Sequence, residues 1–369
     1  MAWFIGLMSG TSLDGVDAVL AESSPQGRLE SRAHAHEPFS AGLRQELLAL
    51  NRSGADEIHR SALAANALVG VYAEAVTQVL AEARMQAAQV TALGAHGQTV
   101  RHRPGEFDGT GYTVQLMNGA LLAERTGIDV VCDLRSRDVA AGGQGAPLVP
   151  AFHAACFGEP GVSKAVLNLG GIANLTLLPA NGPIRGFDTG PGNMLMDLWA
   201  QRHLGRNLDA GGHWAAGGHV NADLLASLLA DPFFAKPPPK STGRDLFDAA
   251  WLDARVSPEV AAQDVMATLA ELTAVSAVQA LRAQGQDERE LLVCGGGAFN
   301  THLLSRLEAC CGAGVLVRST ATAGVPPDQV EALAFAWLAQ AFVERRAANL
   351  PAVTGARGPR LLGALYPAA

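Results

Sequence analysis

Apolar and polar positions along the chain alternate in a pattern that predicts strands and helices in turn. Residues 3–8 and 16–21 predict two strands joined by a small polar turn, and residues 164–178 repeat this strand–turn–strand design. Apolar residues at helical spacing predict three long helices, over residues 58–86, 259–284 and 327–345. The pattern indicates an α/β protein whose halves each open with a hairpin, and whose sheets are therefore mixed rather than purely parallel.

Shorter segments complete this prediction. Residues 90–100 predict a strand that runs into a polar loop, residues 119–126 and 301–309 predict helices, and residues 128–132 predict a buried strand. The Gly/Pro-rich segments 136–150 and 231–247 predict loops. The second loop contains three consecutive prolines, which favour a rigid connector over a polyproline ligand for a partner.

Three turns rich in glycine follow apolar strands, at residues 9–15, 168–174 and 295–297. A turn of Gly, Ser and Thr can aim several backbone N–H groups at one phosphate, although an ordinary tight turn uses the same residues. A P-loop is excluded because none of the three lysines follows glycines at the spacing of the motif G-x-x-x-x-G-K-[ST]. A Rossmann fingerprint is excluded because "GGGAFN" lacks the required glycine spacing.

Several acids adjoin these turns. Asp14 and Asp17 fit either turn-capping residues or carboxylates that hold Mg²⁺ through water. Asp188 stands where a strand meets the turn "DTGPGN". It fits either a cap for the following helix or a general base at the edge of a sheet, where ligands of α/β proteins bind.

Cationic and imidazole groups give a weaker signal. His96 follows a strand and fits a structural histidine better than a catalyst. Arg135 and Arg137 could each grip a carboxylate or a phosphate, with surface ion pairing as the alternative. The other histidines show no spacing that demands a metal.

Composition limits the classes of protein. The chain has 369 residues, 49% hydrophobic, which is enough for two domains. A net charge of −8 and 5% aromatic residues argue against a nucleic-acid binder. Five cysteines without a C-x-x-C pair argue against a zinc site and favour reduced thiols. We find no basic leader and no uninterrupted apolar run of membrane length, so we expect a cytoplasmic chain without a membrane partner.

Eight blocks spread over nearly the whole chain together resemble the anhydro-N-acetylmuramic acid kinase family, which acts in peptidoglycan recycling. In order, they are "GLMSGTSLDGVD", "GAHGQTVRHRP", "SRDVAAGGQGAPLVPAFH", "NLGGIANLT", "GFDTGPGN", "PPPKSTGRD", "CGGGAFN" and "NLPAVTGA".

The resemblance implies the fold of the sugar kinase, Hsp70 and actin superfamily: two ribonuclease H-like α/β domains with ATP in the cleft between them. The implied domains are residues 1–135 plus 330–369, and residues 136–329. The implied nucleotide and phosphate contacts are Gly10, Thr11, Ser12, Asp14, Gly15, Asp17, Asn168, Gly170, Gly171, Gly295, Gly296, Gly297 and Asn300.

The resemblance also implies the reaction. Asp188, in the position of the family's catalytic aspartate, would activate a water that opens the 1,6-anhydro ring, and the freed O6 would take the γ-phosphoryl group of ATP. Arg137, Glu331 and His96 are the candidate sugar contacts. The expected cofactors are ATP and Mg²⁺, with Asp14 holding the metal through water, and a homodimer is expected.

The chain departs from the family at Met117, where a glycine is usual, which puts the affinity of that loop for sugar in doubt. A phosphatase or ATPase of the same superfamily and a non-catalytic nucleotide-binding chaperone are the competing classes. Sugar-dependent ADP release separates the kinase from the first. The second needs a peptide-binding domain, for which the sequence leaves no segment after residue 345.

Overall fold

The structure, a computed structural model, describes residues 2–10, 12–25, 27–238, 240–243, 246–285 and 288–368. The chain divides into two compact units. Unit 1 comprises Met1–Cys156 and Gln329–Ala369, and unit 2 comprises Phe157–Asp328. The break after Cys156 lies beyond the predicted domain end at residue 135, so the segment 136–156 groups with unit 1.

The strands are, in chain order, β1 (Trp3–Met8), β2 (Gly15–Ser23), β3 (Leu29–Pro38), β4 (Ala92–Ala95), β5 (Gln98–Pro104), β6 (Gly111–Leu116), β7 (Val130–Cys132), β8 (Lys164–Leu169), β9 (Ile172–Leu178), β10 (Arg185–Pro191), β11 (Glu290–Cys294), β12 (Leu316–Ser319) and β13 (Ala364–Tyr366).

The α-helices are, in chain order, α1 (Ala41–Ala49), α2 (Glu57–Ala83), α3 (Gly119–Thr126), α4 (Ser136–Ala140), α5 (Val149–Phe157), α6 (Met194–Leu204), α7 (His213–Ala216), α8 (Ala222–Leu229), α9 (Pro232–Ala235), α10 (Ala249–Asp253), α11 (Ala262–Arg282), α12 (Thr301–Cys311), α13 (Val330–Val343) and α14 (Pro351–Thr354). Short 3₁₀ turns include Gly296–Phe299, directly after β11.

The main sheets of the two units share one topology. In unit 1 the strand order is β3-β2-β1-β4-β7, extended by β13, and in unit 2 it is β10-β9-β8-β11-β12. In each sheet the first three strands along the chain pair antiparallel, and the next two add in parallel. This mixed order is that of the ribonuclease H-like fold, and it confirms the predicted fold class and the hairpin at the start of each half.

The two predicted loops are wrong in part. Residues 136–150 contain α4, whose turns are closed by bonds such as Val139 N–H to the Arg135 carbonyl. Residues 231–247 contain α9, where Asp231 caps the Phe233 N–H and a proline occupies the first turn. The glycines and prolines of these segments favoured a loop prediction. The helices within them have only about one turn, which is too short to show apolar periodicity.

Helix α13 packs its backbone directly against the sheet of unit 1. Gly6 of β1 and Gly94 of β4 are register partners. A Cβ on Gly6 would meet the Ala332 carbonyl and the Ala336 nitrogen closer than 3.0 Å, and one on Gly94 would meet the Phe335 carbonyl. Because both positions lack a side chain, the backbone of α13 packs directly on the sheet at Gly6 and Gly94.

Helices α2 and α11 are long and apolar enough to cross a membrane by length and composition alone. In α11, 78% of the apolar window is buried inside the protein, and in α2 the share is 44%. The buried residues of α2, such as Leu68, Tyr72 and Val76, belong to the apolar core of unit 1. Both helices therefore have the burial pattern of core helices.

Candidate active site

The first glycine-rich turn, residues 9–15, lies between β1 and β2 in unit 1. Ser12 Oγ donates to Asp14 Oδ1 at 2.7 Å, and the Gly15 N–H donates to the same oxygen at 3.0 Å. Both Ser12 and Asp14 are exposed, so the turn presents a hydroxyl and a carboxylate to solvent. Gly10 is part of this turn and is half-buried, while Thr11 lies outside the described residues.

Buried polar side chains form hydrogen bonds with the first residues of this turn. His96 Nδ1 lies 3.1 Å from the Ser9 carbonyl, and Gln98 Nε2 donates to the Gly10 carbonyl at 3.1 Å. Ser9 Oγ donates to the Gly97 carbonyl and lies 2.9 Å from the Tyr72 hydroxyl. These bonds anchor the Ser9 and Gly10 carbonyls at the start of the turn where phosphate binding is predicted.

His96 and Arg135 form a buried pair. The Arg135 Nε and Nη2 groups lie 3.2 and 3.0 Å from His96 Nε2, and Nη1 donates to the Gly145 carbonyl at 2.8 Å. Burial and the guanidinium charge lower the pKa of His96 to about 3. Burial lowers the pKa of Arg135 to about 10, against the opposing charges of Glu331 and Asp138.

The predicted sugar contacts of unit 1 are therefore only partly brought together. Glu331 lies in the first turn of α13, and its charge acts on Arg135. Arg137 is exposed on α4, and its side chain forms no hydrogen bond or ion pair with the described residues. Arg135, which the sequence also singled out, is the arginine that contacts His96, and it lies three residues after the end of the buried strand β7.

Asp17 does not offer a free carboxylate. Its Oδ1 atom lies 2.9 Å from His36 Nδ1 and 3.3 Å from His34 Nε2, both on the neighbouring strand β3. Asp14, by contrast, is exposed, and its side-chain hydrogen bonds to other described residues use only the Oδ1 atom. Because Mg²⁺ favours one or two carboxylate oxygens plus water and phosphate, Asp14 fits a water-mediated magnesium ligand better than Asp17.

In unit 2, one register row gathers the predicted residues at the carboxyl ends of strands. Cys294 pairs with Asn168, Asn168 pairs with Asn174, and Asn174 pairs with Asp188. Residues opposite one another in a sheet share a face, and neighbouring strands lie about 4.8 Å apart. The base candidate and the glycine turns after β8 and β11 therefore meet at one edge of this sheet.

The glycine turns of unit 2 touch one another. Asn193 Nδ2 donates to the Leu169 carbonyl at 2.9 Å, and the Asn193 N–H donates to the Gly170 carbonyl at 2.8 Å. Gly295 has a φ of +78°, and a Cβ there would collide with Asn168 Oδ1. The remaining predicted glycines of this cluster are Gly171, Gly296 and Gly297. The absence of side chains allows three backbone segments to approach one point.

Asn300 has a defined structural role. Its Oδ1 accepts the Leu303 N–H at 2.9 Å and caps α12. Its predicted contact with the nucleoside stays a prediction.

Asp188 occupies a β-bulge near the end of β10. Its Oδ2 accepts the Thr242 N–H at 2.9 Å, and its own N–H donates to the Lys240 carbonyl at 3.1 Å. Burial raises the pKa of Asp188 to about 6, although the Thr242 hydrogen bond and the Lys240 charge oppose the rise. A half-buried carboxylate with this pKa is ionised at neutral pH and basic enough to take a proton from water.

The raised pKa has a consequence for stability. Between pH 3.8 and about 6, the folded chain holds a proton on Asp188 that the unfolded chain has already released. The stability that this proton contributes is fully present below pH 3.8 and is lost as the pH rises through about 6. Asp188→Asn is therefore expected to raise the free energy of unfolding at pH 7.5 by on the order of 1 kcal/mol.

Denaturant titrations at pH 7.5 and pH 5.0 check this expectation. The gain in the free energy of unfolding should shrink at the lower pH, because the wild-type carboxyl group is then mostly protonated. Asp223→Asn, at an exposed position on α8, is the matched control and should leave the free energy of unfolding at pH 7.5 within about 0.5 kcal/mol of the wild-type value. A loss of stability in Asp188→Asn at pH 7.5 would mean that the carboxylate is stabilised, not strained, in the folded chain.

The fold and site define a protein with two ribonuclease H-like units, glycine turns at strand ends and a half-buried carboxylate of raised pKa, as expected of a phosphotransferase of the actin-like ATPase fold. The model of the family described as anhydro-N-acetylmuramic acid kinase matches residues 2–368. The chain belongs to this family.

Curated relatives carry the same name. The anhydro-N-acetylmuramic acid kinase of Variovorax paradoxus is 60% identical over 99% of each chain. That of Bordetella petrii is 61% identical over 99% of this chain and 96% of the relative. Among solved structures, a ROK family glucokinase from Streptomyces griseus in complex with glucose and AMPPNP aligns at 14% identity, with a TM-score of 0.40, over 91% of this chain and 98% of that chain. The family assignment rests on the sequence matches.

Proposed function

We propose that this chain is an ATP-dependent kinase that hydrolyses the 1,6-anhydro ring of 1,6-anhydro-N-acetylmuramic acid and phosphorylates O6. The products are N-acetylmuramate 6-phosphate and ADP, and the process served is peptidoglycan recycling. Membership of the family supports the activity. The observation that carries the hydrolytic half of the reaction is Asp188, a carboxylate whose pKa burial raises to about 6.

The proposed sequence of bonds balances. Asp188 takes a proton from water, and the water oxygen forms a bond to C1 of the sugar as the bond from C1 to O6 breaks. The freed O6 then attacks the γ-phosphorus of ATP, and ADP leaves. Asp188 afterwards releases its proton to solvent. Joining the two steps is favourable because phosphoryl transfer captures the alkoxide that ring opening produces.

The polar turns are assigned to ATP. In unit 1 we assign the turn of Gly10, Ser12 and Gly15 to phosphate oxygens; the Ser12 hydroxyl and the Gly15 N–H donate to Asp14 Oδ1 here and would exchange that partner for phosphate when ATP binds. In unit 2 the cluster around Asn168 and Gly295 offers backbone groups in the same way. Magnesium is the expected counter-ion, since it neutralises the charge of the phosphates, and Asp14 is the residue that would hold it.

The expected compartment follows from the cysteines, and the expected oligomeric state follows from the family resemblance. The described cysteines are all free, which suits a reducing compartment, and we assign the chain to the cytoplasm. A homodimer is the assembly that the family resemblance implies. Light scattering with sedimentation analysis of the purified chain tests the dimer.

Isotope labelling tests the reaction. The wild-type chain is incubated with Mg-ATP and the anhydro sugar in ¹⁸O-water, and the products are analysed by mass spectrometry. We expect a phosphorylated sugar with one ¹⁸O at C1, because the attacking oxygen comes from water. N-acetylmuramic acid, in which the ring is already open, is the comparison acceptor and should be phosphorylated poorly.

The other outcomes identify the competing activities. Phosphorylation of the anhydro sugar without ¹⁸O would indicate an ordinary hydroxyl kinase, and the hydrolytic mechanism would be wrong. ADP release that does not depend on sugar would indicate an ATPase.

A further inference from the structure

The segment 240–242 of unit 2 binds Asp188 through two backbone groups. The Asp188 N–H donates to the Lys240 carbonyl at 3.1 Å, and the Thr242 N–H donates to Asp188 Oδ2 at 2.9 Å. The first bond fixes the main chain of the base, and the second fixes one oxygen of its carboxylate. The other oxygen, Oδ1, accepts no hydrogen bond from the described residues. The segment therefore determines which oxygen of Asp188 is left to take a proton.

The side chain of Lys240 ties this segment to helix α9. Its Nζ atom donates to the carbonyls of Phe233 and Phe234 at 3.4 and 3.3 Å. The same atom lies 4.7 Å from the centroid of the Phe233 ring, so the cation also meets an aromatic face. Hydrogen bonds from an ammonium are strengthened by its charge. Lys240 thus uses its positive charge to hold the chain that orients Asp188.

Helix α9 is itself firmly held. Asp231 Oδ1 accepts the Phe233 N–H at 3.0 Å, and Asp231 Oδ2 accepts the Trp251 indole N–H at 2.8 Å. The Phe233 side chain is 2% exposed and packs edge-to-face against Phe247, with ring centroids 5.5 Å apart. Because α9 is fixed to the core of unit 2, the carbonyls that receive the Lys240 ammonium have defined positions.

The charge of Lys240 also acts on the base. Burial raises the pKa of Asp188 to about 6, and the Thr242 hydrogen bond and the Lys240 charge oppose that rise. In return, the Asp188 charge opposes the lowering of the Lys240 pKa by burial. Strand β10 carries one other charged side chain, Arg185, which lies at the opposite end of the strand and donates to Gln284.

The other elements that pack against the end of β10 bring neutral side chains. Asn174 of β9 lies opposite Asp188 in the sheet. Helix α11 meets the end of β10 with Thr273 and Ser276. Helix α9 has the sequence PFFA and contains no charged residue. Among the described residues, the charge that stabilises the ionised form of Asp188 is therefore that of Lys240.

We propose that Lys240 is a positioning residue for Asp188: its ammonium fixes the segment that orients the carboxylate, and its charge favours the ionised base. The inference deepens the proposed function and rests on Asp188 as the base. Lys240 acts through Asp188 and needs no contact with the sugar or ATP.

Lys240→Met tests both parts of this role. Methionine keeps an unbranched apolar chain but loses the charge and the two hydrogen bonds to α9. We expect kcat on the plateau of the pH profile to fall by about 3- to 10-fold, because the carboxylate is less well oriented. We expect the midpoint of the acid limb to move up by about 0.5 pH or more, because Asp188 then binds its proton more tightly. KM for ATP should stay within about twofold.

Two variants serve as comparisons. Lys236→Met removes the same charge at an exposed position of the same loop, where the side chain forms no hydrogen bond or ion pair with the described residues. It should keep the rate within about twofold and leave the acid limb in place. Lys240→Arg keeps the charge and can donate to the same carbonyls, so it should restore the wild-type midpoint and most of the rate.

A second measurement does not depend on turnover. Urea unfolding of the wild-type chain, Lys240→Met, Asp188→Asn and the double variant gives the interaction between the two side chains. At pH 7.5, Asp188→Asn should raise the urea midpoint more in the Lys240→Met background than in the wild-type chain, because the carboxylate there has lost its opposing charge. At pH 5.0 this difference should shrink, since Asp188 is mostly protonated in both backgrounds.

The inference is overturned if folded Lys240→Met keeps the wild-type plateau and the wild-type acid limb. A lower rate with an unmoved limb and no interaction in the unfolding cycle would also overturn it, because Lys240 would then be structural only. The same holds if Lys236→Met moves the limb as far as Lys240→Met does. Circular dichroism shows whether each variant is folded, and Lys240→Gln, with the same expectations, replaces Lys240→Met if that variant does not fold.

Failure of the proposed function is a separate outcome. If the wild-type chain does not phosphorylate the sugar, the proposed function fails. The unfolding cycle still decides whether the Lys240 charge acts on Asp188, because it needs no substrate.

Discussion

Asp188→Asn is expected to lower kcat for phosphorylation of the anhydro sugar by about 10³- to 10⁴-fold, with little change in KM for ATP. An amide cannot accept a proton from water, yet its carbonyl oxygen can still accept the Thr242 N–H. The substitution thus removes the base while it preserves the hydrogen bond that orients the group. A loss of this size is what removal of a general base produces.

The pH profile gives an independent signature. Wild-type kcat should fall on the acid side with an apparent pKa of about 6, because only ionised Asp188 can act as a base. The residual activity of Asp188→Asn should lack this limb. Asp223→Asn should retain both the rate and the limb. A drop of less than about tenfold in Asp188→Asn, with the acid limb intact, would assign the base to another residue.

Gly6→Ala is expected to lower the free energy of unfolding by about 3 kcal/mol or more, which is large for the addition of one methyl group. The new Cβ would lie under 3.0 Å from the Ala332 carbonyl and the Ala336 nitrogen. These are backbone atoms of α13, so no side-chain rotation can relieve the collision. Either α13 must lift from the sheet or β1 must bend, and both disrupt the core of unit 1.

Urea unfolding followed by circular dichroism measures this effect. Gly42→Ala is the matched control, because a Cβ at this position in α1 would meet nothing within 4 Å. It should stabilise by up to about 1 kcal/mol, since alanine is the better helix former. Gly94→Ala, against the Phe335 carbonyl, should resemble Gly6→Ala. Near-wild-type stability of both Gly6→Ala and Gly94→Ala would show that α13 does not rest on these glycines.

Local sequence predicts much of this architecture. The hairpin of β1 and β2 and that of β8 and β9 follow from short apolar runs around turn residues, and the helix predicted over 119–126 matches α3. These features depend on neighbours in the chain. The membership of the family follows from motifs that are likewise contiguous, and the comparisons confirm it.

The sequence could not reveal where α13 packs on the sheet of unit 1. Gly6 and Gly94 are far apart along the chain, and only their pairing in the sheet places both beneath one helix. The pKa of Asp188 is equally non-local, because burial raises it, and the Thr242 N–H comes from a loop 54 residues later.

The sequence by itself determined the two opening hairpins, the long helices, the glycine turns and the family, since each is written in consecutive residues. Only the tertiary structure decided which of two nearby arginines is buried. Asp138 binds Asn349 and Thr354 across 211 and 216 residues, and this contact draws the 136–145 segment inward so that Gly145 meets Arg135 and leaves Arg137 exposed. Burial of a charge depends on partners that are brought together by folding, and no local pattern encodes them.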